Sequence, residues 1–370
     1  MSATDLATQP ATGGWTVIIP WAAPVDPVAP TRPKGLLTTP DGDLVVMRAI
    51  ASVPKSAVCR VIVAFLRETE DRFHTAEALR RASGGTIECL ILDERTAGPA
   101  ETVRQVIARA GVTGPVCIKD SDSFFEIAEM PSGSFMAIAD IRTMQRLSDP
   151  GRKSYVHLNE QGFICDVVEK DVRSNLISIG LYGFHDAAFY AKTYDAVVAE
   201  RGEMNYFVSH IVMSAVIQGE IFQPCACEQI VDLATDADWA IYRSAMPTFV
   251  LDIDGLIFRN QSKFFRPFWG DPVEPIEKNV AHLLALQANG AQLLFMTARP
   301  EAYRETTVTA LEALGFRVHA LVMGCYHATR YLVNDYAQSN PYPSAIAINV
   351  ARNTPELASL LPLPFNLDRG

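Results

Sequence analysis

The feature that most constrains this chain is an apolar run that ends in two closely spaced carboxylates, FVLDIDGLIF at residues 249–258. Side chains alternate along a strand, so Asp252 and Asp254 are expected to project the same way from its carboxyl end. Two like charges this close are unfavourable unless a cation or a shared proton offsets them. The pattern predicts a divalent-metal site in which one carboxylate can attack an electrophile. An Asp-rich strand end at the surface is the alternative.

Length and composition indicate a globular protein with more than one domain. A chain of 370 residues is long enough for two domains of ordinary size. Its net charge of -10 argues against a nucleic-acid partner, because phosphate backbones are bound through basic surfaces. The N-terminus lacks the pattern of a signal peptide, and no apolar run is long enough for a membrane span. Seven scattered cysteines are typical of a reducing compartment. We therefore expect a cytoplasmic protein without a membrane partner.

The pattern along the chain predicts a flexible tail at 1–14, a first domain at 15–243 and a second at 248–370. Strand and helix patterns alternate up to about residue 120, with one helix at 70–81 among them, which predicts a parallel sheet covered by helices. Later patterns predict a hairpin of strands at 155–158 and 163–168 with its turn at 159–162, one strand near 221–233 and a last strand at 345–350. Ligands of such sheets bind at the carboxyl ends of the strands. One predicted strand, at 114–119, ends at Asp120-Ser121-Asp122. This acidic end is a candidate site.

Five short segments occur in order between residues 15 and 242. They are RPKGLL at 32–37, TAGPAET at 96–102, DSDSFF at 120–125, VEK at 168–170 followed by SNLISIGLYGF at 174–184, and VDLATDADWAIY at 231–242. In this order they resemble the motifs of sugar-phosphate nucleotidyltransferases. The resemblance implies a GT-A-like α/β fold with a mixed sheet.

The same resemblance implies an enzyme that joins a sugar phosphate or polyol phosphate to the α-phosphate of a nucleoside triphosphate. Mg²⁺ would be held by Asp122 and Asp232, and Lys34 would be the catalytic cation of the loop after the first strand. The resemblance also implies residues that bind the substrates. Arg32 lies in that loop, Gly98 and Ala100 would contact the nucleotide base, and the sugar phosphate would be bound by Glu169, Lys170, Asn175, Gly180 and Tyr182.

The loop at 20–32 departs from the family pattern. It contains no glycine and four prolines, so it has fewer backbone N–H groups to surround a triphosphate. Two alternatives to nucleotidyl transfer therefore stay open. The first domain could only bind substrate or form a homodimer, or it could be a GT-A glycosyltransferase that uses Asp120-Ser121-Asp122.

Further motifs follow the two carboxylates at 252 and 254. A predicted strand at 292–296 ends in TARP at 297–300, and the run YLVND ends in an acid at 335. Together these motifs resemble the haloacid dehalogenase (HAD) phosphatase superfamily, with a Rossmannoid parallel sheet. The spacing leaves no room for a large cap domain.

The phosphatase resemblance implies Asp252 as the nucleophile that forms an aspartyl-phosphate, and Asp254 as the acid and base. Thr297 would hold a phosphoryl oxygen, and Arg330 would replace the family's lysine, which is absent here. The remaining implied roles are substrate binding by Arg299 and Mg²⁺ binding by Asp252, Asp254, Asn334 and Asp335.

Taken together, the sequence predicts a bifunctional enzyme that acts in making nucleotide-activated sugars for surface polysaccharides. Its expected ligands are Mg²⁺, a nucleoside triphosphate and a sugar or polyol phosphate. A phosphatase whose first domain only binds substrate or dimerises is the main alternative.

Overall fold

The structure is a computed structural model that describes residues 14–24, 32–127, 129–144, 149–245, 247–334 and 345–361. The chain divides into two units, Met1–Asp238 and Trp239–Gly370. We refer to them as the first and the second unit. The division falls a few residues before the predicted boundary, inside a helix.

The strands of the first unit are β1 (Trp15–Pro20), β2 (Val58–Leu66), β3 (Glu88–Leu92), β4 (Val116–Lys119), β5 (Ser123–Glu126), β6 (Phe135–Asp140), β7 (Ser154–Leu158), β8 (Ile164–Glu169), β9 (Leu176–Phe184), β10 (Gln223–Ala226) and β11 (Glu228–Asp232). Within the described residues, nine of them form one sheet in the order β10-β6-β9-β4-β1-β2-β3, with β7 beside β9 and β8 beside β7. Pairs among β1 to β4 are parallel, whereas β9 is antiparallel to both β4 and β6. The predicted α/β fold with a mixed sheet is confirmed for this unit.

The helices of the first unit are α1 (Val45–Ala51), α2 (Arg67–Phe73), α3 (Thr75–Ser83), α4 (Pro99–Arg109), α5 (Ala187–Arg201) and α6 (Val208–Ile217), and α7 (Asp236–Ala245) crosses the division between the units. They cover both faces of the sheet because neighbouring residues of β1 point to opposite sides. Ile18 packs with residues of α4, α5 and α6. Val17 and Ile19 pack with residues of α1 and α3.

Two predictions for this unit need correction. The single helix expected near 70–81 is two helices, because His74 takes a left-handed conformation (φ 50°) and the Glu70 carboxylate accepts the backbone N–H of Ala76 at 2.8 Å. The single strand expected near 221–233 is also two. Its first half, β10, pairs with β6 of the large sheet, and its second half, β11, pairs with β5.

The second unit contains the parallel strands β12 (Thr248–Asp252), β13 (Gln292–Met296) and β14 (Ala320–Val322), and the helices α8 (Glu277–Ala288), α9 (Arg304–Ala313) and α10 (Leu357–Leu360). The strand order is β12-β13-β14, with Asp252 opposite Met296 and Met296 opposite Val322. Leu251, Leu293 and Phe295 form its core with Leu283 of α8 and Leu311 of α9. The carboxyl ends of these strands therefore meet at one edge.

One predicted strand of the second unit is wrong. Residues 345–350 are not a strand, and Ile346 is 77% exposed. The apolar run at 331–334 is likewise not a strand, with Tyr331 and Val333 each 85% exposed. Apolar side chains alone do not produce a strand here, because neither segment pairs with a neighbouring strand. Among the described residues, no helix is both long and apolar enough to span a bilayer.

Candidate active sites

Two carboxylates that lie far apart in the sequence are brought together by a short strand pair. β5 and β11 are antiparallel, and Ser123 lies opposite Asp232. The backbone N–H of Leu233 donates to the carbonyl of Asp122 at 2.9 Å. Asp122 and Asp232 are therefore neighbours across the pair. Burial raises the pKa of Asp122, and the charge of Asp232 raises it further.

This donor set fits Mg²⁺ with help from a substrate. Among the described residues, no group of three or more His, Cys, Asp or Glu side chains is arranged to hold a metal ion. Mg²⁺, however, commonly uses only one or two carboxylates and takes its other oxygens from substrate phosphates and water. The repulsion between Asp122 and Asp232 gives a cation a favourable place between them. The two residues would hold the ion only in part.

Two lysines approach the same segment. Lys34, the predicted loop cation, donates to the carbonyl of Ala234 and lies 3.6 Å from the Asp236 carboxylate. Lys153, the residue before β7, forms an ion pair with Asp232. Both lysines act against the rise in the pKa of Asp122. The acidic pair is therefore flanked by two cations that an anionic substrate could also contact.

A third lysine lies beneath the turn at residues 120–123, which we call the acidic turn. Lys119 is fully buried, and its Nζ donates to the carbonyl of Asp120 and to both oxygens of Ser123. Burial raises the pKa of Asp120 to about 6, although the charge of Lys119 opposes the rise.

Gly180 makes room for the acidic turn. Its φ is +78°, and a Cβ placed there would lie 2.2 Å from Oδ2 of Asp120. Its carbonyl accepts the backbone N–H of Asp120 at 2.9 Å. A side chain at this position would strain the backbone and displace the Asp120 carboxylate. Gly180, predicted to bind substrate, thus shapes the turn itself.

Of the predicted sugar-phosphate residues, Glu169 ends β8 and Lys170 follows it, close to Lys153. The carboxylate of Glu169 accepts from the hydroxyls of Ser154, at 2.6 Å, and Ser209. The backbone N–H of Lys170 donates to the carbonyl of Lys153 at 2.9 Å, and its ammonium lies 4.8 Å from the Phe207 ring centre. The hairpin thus presents two lysines side by side.

The other predicted binding residues of the first unit differ in accessibility. Arg32 and Asn175 are exposed, whereas Tyr182 lies in the core and its hydroxyl accepts from Ser178 at 3.1 Å. Ala100 is buried; its N–H donates to Tyr206 and its carbonyl accepts from Tyr190. A Cβ on Gly98 would lie 2.5 Å from the Asn205 side chain. Residues 25–31 of the proline-rich loop lie outside the described residues.

In the second unit, Asp254 and Thr297 come together at the carboxyl ends of β12 and β13. The Thr297 hydroxyl donates to Asp254 Oδ2 at 3.0 Å. Arg299 forms a bidentate ion pair with the same carboxylate, with Nη2 to Oδ1 at 2.8 Å and Nε to Oδ2 at 3.0 Å. Arg299 also donates to the buried side chain of Gln261 at 3.0 Å. Both oxygens of Asp254 are therefore engaged.

Asp252 has a more open environment. Its carboxylate lies 3.3 Å from Nη1 of Arg330, and each side chain is 39% exposed. Arg330, the predicted replacement for the family's lysine, is thus near the predicted nucleophile. Asn334 is exposed, and Asp335 lies outside the described residues. The structure therefore brings together Asp252 with Arg330 and Asp254 with Thr297 and Arg299.

Sequence reasoning missed three residues of these sites. Lys119 and Lys153 belong to none of the motifs, although Lys119 ends the predicted strand at 114–119 and Lys153 lies just before the predicted hairpin. A charged side chain at a strand end was therefore a usable signal. Gln261 had no such signal, because its contact with Arg299 depends on the path of the loop after Phe258.

No model of a protein family matches the sequence, and neither does any curated protein. The fold is similar to that of a nucleoside-diphosphate-sugar pyrophosphorylase from Vibrio cholerae RC9, with a TM-score of 0.51 and 17% identity over 61% of this chain and 99% of that one. An inositol-1-phosphate CTP transferase from T. maritima gives a TM-score of 0.49 and 16% identity over 63% of this chain and 95% of that one. Over that 61% of its length, the chain therefore shares an α/β fold with the Vibrio cholerae structure.

Proposed function

We propose that the first unit is a nucleotidyltransferase that couples a sugar phosphate or polyol phosphate to a nucleoside triphosphate. The observation that carries this proposal is the pairing of Asp122 with Asp232, flanked by Lys34 and Lys153. The description of the Vibrio cholerae structure as a nucleoside-diphosphate-sugar pyrophosphorylase supports the same class of reaction.

The reaction brings two anions together. An oxygen of the sugar phosphate attacks the α-phosphorus, the bond from that phosphorus to the α–β bridging oxygen breaks, and pyrophosphate leaves with the electron pair. Mg²⁺ held by Asp122 and Asp232 would offset charge on the triphosphate. Lys34 leaves its contact with the Asp236 carboxylate and binds the triphosphate, and Lys170 holds the sugar phosphate. Glu169 accepts hydrogen bonds from sugar hydroxyls.

The test is pyrophosphate release by the purified full chain with each common nucleoside triphosphate and a panel of sugar and polyol phosphates. We expect one combination to release pyrophosphate and to form the nucleotide-linked sugar. Asp122→Ala should abolish release, and Asp93→Asn, which changes a surface carboxylate paired with Arg67, should not. Binding of a sugar phosphate without any release would favour the substrate-binding alternative. Transfer of sugar from a nucleotide sugar to an acceptor would favour the glycosyltransferase.

We further propose that the second unit is a phosphatase. The observation that favours it is the convergence of Asp254, Thr297 and Arg299 two residues beyond Asp252, whose position at the end of β12 resembles that of a phosphatase nucleophile. An Asp252 oxygen attacks the phosphorus, the ester oxygen leaves as an alcohol after taking up a proton, and water hydrolyses the aspartyl-phosphate to inorganic phosphate. Mg²⁺ on Asp252 would offset phosphate charge.

Arg299 changes the role expected of Asp254. A carboxylate whose two oxygens accept from a buried guanidinium and a threonine is held in one orientation. To protonate the leaving alcohol, Asp254 must first exchange one of these contacts. The test is phosphate release from sugar phosphates and bisphosphates, with Asp252→Asn as the inactive variant and Asp271→Asn, in the neighbouring loop, as the control.

The two proposed activities fit one route to an activated sugar. The phosphatase would remove one phosphate of a bisphosphate, and the transferase would activate the other. A purified chain that releases pyrophosphate but no phosphate from any such ester would leave the first unit as the only enzyme.

A further inference from the structure

The buried ammonium of Lys119 has no place in the proposed reaction, since it does not reach solvent. It donates three hydrogen bonds, all within the acidic turn: to the Asp120 carbonyl at 2.9 Å, the Ser123 carbonyl at 2.7 Å and the Ser123 hydroxyl at 2.7 Å. An ammonium has three N–H donors, so every one of them is used. The side chain thus binds both ends of one four-residue segment.

The charge of Lys119 is compensated by the site above it. A buried ammonium is costly unless it is hydrogen-bonded and paired with opposite charge. Burial lowers the pKa of Lys119 to about 8, although the negative charges of Asp120, Asp122 and Asp232 each raise it. A methionine would fill a similar volume beside Phe125, 5.0 Å away, at no such cost. Packing alone therefore does not explain a lysine at this position.

The hydrogen bonds continue from Lys119 to the strand below. The Ser123 hydroxyl donates to the carbonyl of Ile179 at 3.0 Å, and the next residue, Gly180, is the one against which Asp120 lies. The segment that carries Asp122 is therefore tied to β9 through Lys119 and Ser123. Because Ser123 is also opposite Asp232, these bonds set the spacing of the predicted Mg²⁺ ligands.

We propose that Lys119 is a positioning residue that holds the acidic turn in shape and offsets the charge of its three neighbouring carboxylates before a cation or substrate binds. Its significance for catalysis rests on the proposed nucleotidyl transfer. The electrostatic part does not, because it concerns the folded protein alone.

The experiment compares wild type, Lys119→Met, Asp120→Asn and the double variant, all as the full chain. Thermal melting and hydrogen exchange of the segments around 120–126 and 228–233 are measured with and without MnCl₂. We expect Lys119→Met to lower the melting temperature by about 5 °C and to speed exchange in both segments. Asp120→Asn should recover more than half of that loss, and Mn²⁺ should stabilise Lys119→Met more than wild type, because each reduces uncompensated negative charge.

The proposal is overturned if Lys119→Met lowers the melting temperature equally with and without Mn²⁺ and if Asp120→Asn recovers none of that loss. Lys119 would then serve only to pack the core. If Lys119→Met does not fold, Ser123→Ala takes its place: faster exchange at 228–233 is expected, and unchanged exchange contradicts the proposal. Where transfer is measurable, Lys119→Met should lower kcat about 10- to 100-fold with KM for the sugar phosphate unchanged. Absent transfer in wild type would count against the proposed function only, since melting and exchange test the positioning role separately.

Discussion

The two units hold their acidic residues by different means. In the first, Asp122 and Asp232 come from antiparallel strands, and lysines approach them. In the second, Asp252 ends a strand and Asp254 follows it, and each faces an arginine. A guanidinium is a planar fork that occupies both carboxylate oxygens, whereas an ammonium is a compact point charge. Asp232 pairs through Oδ2 with Lys153 and accepts the backbone N–H of Ala234 through Oδ1 at 3.0 Å. These single contacts leave a lone pair on each oxygen for a cation, whereas Arg299 fixes both oxygens of Asp254 in place.

The strongest test of this comparison inactivates one unit at a time and measures both activities. Asp252→Asn should lower phosphate release by about 10³-fold or more and leave pyrophosphate release unchanged, because it removes only the proposed nucleophile. Asp122→Ala should do the opposite. Both products are measured on each variant. If either substitution abolished both activities, the acidic residues of the two units would serve a single reaction.

The two arginines of the second unit should differ in their contribution to stability. In the Arg299–Asp254 pair the side chains are 3% and 13% exposed, so Arg299→Met leaves a buried carboxylate without its partner and should cost about 3–5 kcal/mol of unfolding free energy. Arg330→Met is the matched control, expected to cost less than about 1 kcal/mol because that pair is 39% exposed on both sides. Chemical denaturation measures both. Equal costs would mean that Arg299 does not fix Asp254.

Glycine substitution tests how closely the acidic turn of the first unit is packed. Gly180→Ala should cost about 1–3 kcal/mol, because the backbone is left-handed and the new Cβ meets the Asp120 carboxylate. Gly162→Ala is the control: its φ of +82° is similar, but nothing lies within 4 Å of the added Cβ. Its cost should be no more than about 1–2 kcal/mol. A turn that adapts freely would give the two variants equal stability.

The smallest effect concerns pH and the first unit alone. Burial lowers the pKa of His210, whose Nδ1 accepts the backbone N–H of Phe207 at 2.9 Å. As pH falls, His210 is therefore protonated in the unfolded chain before it is protonated in the folded protein. The stability contributed by this residue is complete above about pH 6.5 and is lost as pH falls below it. His210→Gln should flatten the stability profile in that acidic range. An unchanged profile would show that His210 is not responsible.

The predicted hairpin at 155–168 is present in the structure, whereas the predicted strand at 345–350 is not. The hairpin of β7 and β8 was visible because Asn159 and Gly162 define its turn, and the Asn159 side chain accepts two backbone N–H groups within it. Residues 345–350 have an equally apolar pattern but no strand beside them. A strand exists only through its neighbours, so composition cannot decide it.

The same distinction applies to the sites. The sequence by itself determined that Asp252 and Asp254 share one strand end, that Thr297 ends another, and that Asp122 lies in an acidic turn. Only the tertiary structure decided that Asp232 lies beside Asp122, that Arg299 binds Asp254 and that Lys119 lies beneath the acidic turn. The physical reason is the range of the interactions: strand direction and turn chemistry are set by neighbouring residues, whereas charge pairing depends on which distant segments the fold brings within a few ångströms.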